Sequence, residues 1–171
     1  MFKDITKFSN IEDYLPILTA ILIVDLIVII LSYFNIIKSH YIKLWYQKFN
    51  LSAVLADVLV IFIGIIFVRA IYNYIFKTFS IINLILLMVV IQIIHDILFY
   101  IMIVIIPRGS NNMIDIFKDF AYETSYNIII GDSIMVIAIG LLASYLANFD
   151  ANTNIIILAI TAYLLQYFIY Y

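Results

Sequence analysis

Apolar residues run almost unbroken through five stretches of this chain, 14–37, 51–76, 79–106, 126–147 and 154–171, with short polar breaks between them. A helix rises 1.5 Å per residue, so about 20 residues cross a hydrocarbon core of roughly 30 Å, and the first four stretches suffice even when tilted. The fifth is shorter and runs to Tyr171 without a polar tail. It either spans or rests at the surface with its aromatic end at the headgroups. Lipid leaves only helices or closed barrels able to satisfy the backbone, and no ten-residue alternation of a barrel strand occurs. The expected fold is therefore all-α, a polytopic transmembrane helical bundle in one membrane domain, residues 1–171. Its termini fall on opposite sides if the fifth stretch inserts. Phe76, Lys77 and Thr78 leave almost no loop, so spans two and three should form a tight antiparallel hairpin. No internal repeat is evident.

Let side A be the N-terminal side and side B its opposite. Side B receives the two longest connections, and both are patterned as helices. In 38–50, His40, Lys43, Gln47 and Asn50 recur at helical spacing, with Ile42, Trp45, Tyr46 and Phe49 on the other face. In 110–124, Ser110 or Asn111 can cap after the Pro107-Arg108-Gly109 turn. Met113, Phe117, Phe120 and Ala121 then form one face, and Asp115, Lys118, Asp119 and Tyr122 the other. Both read as interfacial helices lying on the bilayer, either plain connectors or a platform for a partner. Lys and Arg near the span ends number five on side B and four on side A, which inclines side B to the cytosol. The first 13 residues carry mixed charge, and the run behind them is too long for a cleaved signal, so it reads as a retained anchor.

Composition confirms the solvent and narrows the chemistry. The chain is 67% hydrophobic and 12% charged, against roughly half apolar for a soluble domain. It has no cysteine, which removes disulfides, thiolate nucleophiles and thiolate-held metals. A formal charge of -2 with dispersed Lys and Arg offers no basic stripe for nucleic acid.

Candidate chemistry lies in ionisable residues inside the spans, each costing about 2.5–3.5 kcal/mol at the membrane centre on insertion scales. These are Asp25, Asp57, Arg69, His95, Asp96 and Asp132. Counted from the side-B ends of the stretches, Asp57 and Asp132 lie about 9 Å deep, Asp96 about 15 Å and Asp25 about 18 Å. The acids are expected to converge in the side-B half, with Asp25 deeper. Asp132 shares a stripe with Gly140, Ala143, Ser144 and Ala147, and Asp57 sits with Ala53 and Gly64, small residues that mark close helix packing. Gln92, Asp96 and Tyr100 follow i, i+4, i+8 beside His95; Ser133 and Gln166 are further polar candidates. Unbalanced acids repel, so at least one should hold a proton, or a cation should sit among them. Arg69 lies about 18 Å from Asp57 and should snorkel to side A.

Known catalytic patterns are mostly missing. H-E-x-x-H, P-loop and G-x-S-x-G are absent, and Gly131-Asp132 falls short of the G-x-G-D of intramembrane aspartyl proteases because Ile129 replaces the first glycine. A metal site would draw on His95 with Asp57 or Asp132. The stretch from Gln92 to Ala147, with Gln92-x3-Asp96-Ile97-Leu98-Phe99-Tyr100, Ile106-Pro107-Arg108-Gly109-Ser110-Asn111, Phe117-Lys118-Asp119-Phe120-Ala121-Tyr122-Glu123 and Gly131-Asp132-Ser133, resembles an uncharacterised multi-pass membrane family encoded by nucleocytoplasmic large DNA viruses. That resemblance implies a viral protein in a host or virion membrane and no mechanism.

Three functions fit these observations. The first is a non-enzymatic membrane component that binds a further copy, or a membrane or capsid partner, on side B. The second is a proton or cation channel or transporter whose relay is Asp25, Asp57, His95, Asp96 and Asp132. The third is a small enzyme acting on lipid, with His95 and Asp96 as acid and base. No cofactor is expected beyond a bound lipid or cation.

Overall fold

A computed structural model describes residues 1–170, all-helical apart from its turns and ends. A short 3-10 turn, Ile11–Asp13, leads into α1 (Tyr14–Tyr33). It is followed by α2 (His40–Phe49), α3 (Leu51–Ile75), α4 (Ile81–Ile105), α5 (Asn112–Thr124), α6 (Asn127–Leu146) and α7 (Ala151–Ile169). Five of these, α1 with its leading turn, α3, α4, α6 and α7, are long and apolar enough to cross a membrane. Their outer faces carry exposed stripes, such as Leu51, Leu55, Leu59, Ile63 and Phe67 on α3. Lipid solvates such a face, whereas water would make it an aggregation surface. The protein is a multi-pass membrane bundle.

Helix ends follow from local chemistry. The Ser39 side chain accepts the Ile42 N–H at the start of α2, and Asn111 accepts those of Met113 and Ile114 at the start of α5. The α3–α4 hairpin is pinned by buried Tyr72, whose hydroxyl accepts the Ser80 N–H at 3.0 Å and faces the Thr78 and Ser80 carbonyls at 3.3 Å. The fifth span begins at Ala151, ahead of its apolar stretch, because Asp150 caps it through the Thr153 N–H at 2.7 Å. Buried Asn154 then donates to the carbonyls of Leu146, Phe149 and Asp150. The end of that stretch, Tyr171, lies outside the described residues. At the other end of the chain α1 stops at Tyr33, short of residue 37, so Asp25 sits about 12 Å from the side-B end of its helix, comparable to Asp96 at about 14 Å.

Helix α1 is the centre of the bundle, packed against α3, α6 and α7, while α4 lies outside against α3 and α6. More than half of the most apolar window of α1 is buried. Between α4 and α6 the approach is close at Gly140, where a Cβ would stand 3.0 Å from Met88 Sδ. Gly140, Ala143, Ser144 and Ala147 are all buried, as a packing stripe should be. Gly64 is different: a Cβ there would meet nothing within 4 Å, so this glycine borders open space instead of a neighbouring helix.

The N-terminal segment straps the side-A end. The Lys3 N–H donates to the Ser144 carbonyl at 3.0 Å, and the Ser144 hydroxyl donates to the Lys3 carbonyl at 2.5 Å. Arg69 does not snorkel into solvent. It is 1% exposed, beneath the strap, donating to the carbonyls of Lys7 at 2.6 Å and Asn10 at 2.8 Å and pairing with Asp13 at 3.3 Å, with Tyr14 stacked at 4.3 Å. Backbone carbonyls from its own chain receive Nη2, while Nε and Nη1 are buried without a partner among the described residues.

The order span, amphipathic helix, span occurs twice, as α1–α2–α3 and α4–α5–α6, with both amphipathic helices on side B. Each amphipathic helix passes into the next span through a residue of positive φ, Asn50 (φ 47, ψ −124) and Ser125 (φ 50, ψ −132). An aspartate, Asp57 or Asp132, follows each of these by seven residues. The two halves share element order, this turn conformation and the spacing to the acid, while their sequences differ, which is why no repeat is legible along the chain. The roof they form is knit by α2 packing on α5. Glu123 of α5 accepts the Ser39 hydroxyl at 2.7 Å and the N–H groups of His40 and Tyr41 at 3.0 and 3.4 Å, holding the N-terminus of α2.

Candidate functional site

Beneath this roof, in the side-B half of the bundle, lies a cavity of about 370 Å³. Asp57 of α3, Asp96 of α4 and Asp132 of α6 all line it, together with Gln92, His95 and Tyr100 of α4. Three spans thus bring one acid each to the same space. Asp25 is not on the cavity wall. It is 1% exposed within α1 and connects through Tyr46, whose hydroxyl lies 3.1 Å from Asp25 Oδ1 and 3.0 Å from Asp57 Oδ2. Burial first, then the neighbouring Asp57 and Asp25, hold the Tyr46 hydroxyl well above its ordinary value of 10.0, so it stays a neutral donor. One hydroxyl hydrogen faces two carboxyl groups, and satisfying both contacts requires a second proton on Asp25 or Asp57.

The acids differ in how they are held. Asp57 Oδ2 accepts the Trp45 indole N–H at 2.9 Å as well as facing Tyr46. Asp96 Oδ1 accepts from Gln92 Nε2 at 2.7 Å and lies 3.2 Å from His95 Nδ1, while its buried Oδ2 has no partner. Asp132 makes no hydrogen bond to the described residues. No Lys or Arg lines the cavity. Three cations at the roof are engaged elsewhere: Lys43 with the Asn35 side chain, Lys118 with the Ile106 carbonyl, and Arg108 with Asp119 at 2.6 Å.

Aromatic rings form an arc around the acids. His95 stacks on Phe99 at 5.8 Å, Phe99 meets Phe117 edge-on at 5.0 Å, and Phe117 lies 4.5 Å from Trp45, which closes the arc on Asp57. Pairs of this kind contribute about 0.5–1.5 kcal/mol beyond the area they bury. The apolar faces of α2 and α5 therefore cover protein rather than lipid: Trp45 and Tyr46 are 6% and 8% exposed. A rule that sends aromatic faces to the bilayer missed them as site residues because their partners, Asp57 and Asp25, lie in other elements.

Two sequence candidates stand apart. Ser133 turns its hydroxyl to the Ile129 carbonyl of its own helix at 2.6 Å, as a serine in lipid does when no neighbour offers an acceptor, and Gln166 is exposed on α7, which contributes nothing to the cavity. His95, Asp57 and Asp132 share the cavity, yet no three His, Asp or Glu side chains among the described residues group closely enough for one metal ion. Missed altogether from sequence were Asp13, the partner of Arg69, and Glu123, the clasp of the roof.

The cavity also opens sideways. Val60 of α3 and the His95 side chain of α4 both line it and are 37% and 39% exposed. Leu98 and Met102, further along α4 toward side B, are exposed at 61% and 41%, and Gly64 borders open space. The α3–α4 hairpin is pinned at its side-A end by Tyr72, far from these exposed lining residues.

No family model, curated protein or solved structure matches this chain.

Proposed function

We propose that this multi-pass membrane protein takes up a proton or a cation into the side-B half of its bundle and acts as an ion-handling transporter rather than a passive membrane component. The observation that carries the reading is the convergence of Asp57, Asp96 and Asp132, from three spans, on one cavity whose lining holds no Lys or Arg. Asp132 lines the cavity without a hydrogen bond to any described residue, and unlike the sealed Asp96 Oδ2 its oxygens are not closed off from that space. It is poised for something that comes and goes.

The relay runs from the cavity through Asp57 and Tyr46 to Asp25. Beyond Asp25 toward side A, the central helix presents buried Ile21, Ala20 and Ile17. Passage to side A thus requires a rearrangement of α1 against its neighbours, as in alternating access, with the site at the junction of two repeated halves. The test is proton and monovalent-cation flux in liposomes carrying the purified protein, with Asp57→Asn, Asp96→Asn and Asp132→Asn. An amide preserves the hydrogen bonds that a packing role needs, so these variants should fold normally and lose flux. Wild-type liposomes as tight as empty ones, or three variants as active as wild type, would refute the proposal.

A further inference from the structure

We infer that the cation this cavity takes is a single-chain amphiphilic amine, admitted sideways from the bilayer between α3 and α4, with its ammonium at Asp132, in the field of Asp57 and Asp96, and its chain along the apolar wall. The inference rests on the cation reading above and adds the chemical class and the route.

Size is the first argument. A water-sized occupant takes about 30 Å³, whereas pockets of about 300–1,000 Å³ hold organic ligands. At about 370 Å³ the cavity belongs to the second class. Geometry agrees, since no three acidic or imidazole side chains among the described residues are grouped for one metal ion. A bare ion would leave most of the volume as water against Ile61, Ile103, Ile116, Met135 and Val136. An alkyl chain covers those walls at about 25 cal/mol per Å² of apolar surface removed from water.

Charge selects the head. Asp132 lines the cavity with no hydrogen bond to any described residue, Asp57 and Asp96 line the same space, and no Lys or Arg among the described residues faces them there. An ammonium brings three donors. A phosphate-bearing headgroup fits poorly, because its anion would meet three carboxyl groups and no Lys or Arg.

The opening between α3 and α4 supplies the route. Val60 and His95 are at once cavity wall and outer surface, about 14 and 15 Å from the side-B ends of their helices. That depth is within the hydrocarbon. Gly64, one turn beyond Val60 on α3, also borders open space.

Trp45 is the only tryptophan and its indole bonds Asp57, so its fluorescence reports on the site. The experiment titrates the full chain in nanodiscs of phosphatidylcholine with dodecylamine, dodecanol and dodecylphosphocholine. Dodecylamine should shift Trp45 emission saturably, at least tenfold more tightly than either other probe, and the Asp96→Asn/Asp132→Asn double variant should lose that preference at an unchanged unfolding temperature. Gly64→Phe, which fills the open space, should slow amine binding several-fold without altering the starting emission. Equal titration by amine and alcohol would overturn the inference, as would amine binding that survives the double variant. Asp-dependent proton flux without saturable amine binding would sink the amine assignment and leave the ion-handling reading standing. Absence of both would remove the two together.

Discussion

Asn50 and Ser125 hold the same unusual backbone, φ 47 with ψ −124 and φ 50 with ψ −132, at the two places where a roof helix turns into a span. Each places a cavity aspartate two turns into the helix that follows. Glycine favours this region and residues with a Cβ are strained there, at a cost of about 1–3 kcal/mol. Asn50→Val and Ser125→Val should therefore lower stability by about 1–2 kcal/mol, while Asn50→Gly and Ser125→Gly should match or exceed the native chain. Thermal unfolding in detergent measures this, and equal losses for Gly and Val would show that the turns are unstrained.

Glu123 gives the roof its acid sensitivity. Its slight burial disfavours the charge, but the Ser39 hydroxyl and the His40 and Tyr41 N–H groups outweigh that and hold the carboxyl below its ordinary value of 4.5. A depressed value means the clasp is fully present above about pH 4.5 and lost as pH falls through the lower, folded value. Glu123→Gln should abolish this acid-side change in roof order, read from Trp45 emission, and Glu123→Ala should cost about 1 kcal/mol. An acid transition unaltered in Glu123→Gln would assign it to another group.

Removing one side of the buried Arg69–Asp13 pair leaves the other charge without compensation. Arg69→Leu should cost about 3–5 kcal/mol and free the strap, with Lys3 and Lys7 becoming trypsin sites. Digestion at the native rate would mean the strap is held chiefly by Ser144 and Asn148.

At Gly140, alanine needs only a small shift of the flexible Met88 thioether and should cost under about 1 kcal/mol. Gly140→Leu should push α4 from α6 and cost about 1–3 kcal/mol. A cross-linking series between the two helices would report the separation, and a silent leucine variant would place the close approach elsewhere.

With no native cysteine, labels can be placed singly. Five spans put Phe8 and Tyr170 on opposite faces, and both are exposed. Impermeant maleimide on sealed vesicles should reach only one of the two introduced cysteines; labelling of both would break the five-span topology.

The all-helical bundle and its apolar spans are written in the sequence because lipid imposes a one-dimensional requirement: about 20 apolar residues with the backbone satisfied locally. The acids too could be found along the chain, since an aspartate inside such a run is conspicuous. What they meet could not. Whether Asp57 faces Trp45 and Tyr46, whether Asp25 lines the cavity or sits behind it, and whether Gly64 marks a contact or a gap depend on helix rotation and tilt, which a near-uniform apolar surface leaves open. Arg69 shows the same limit. Its depth in the span suggested solvent, but the carbonyls that receive it belong to a strap some 60 residues away, and only three-dimensional packing brings a hydrogen-bond partner across that distance.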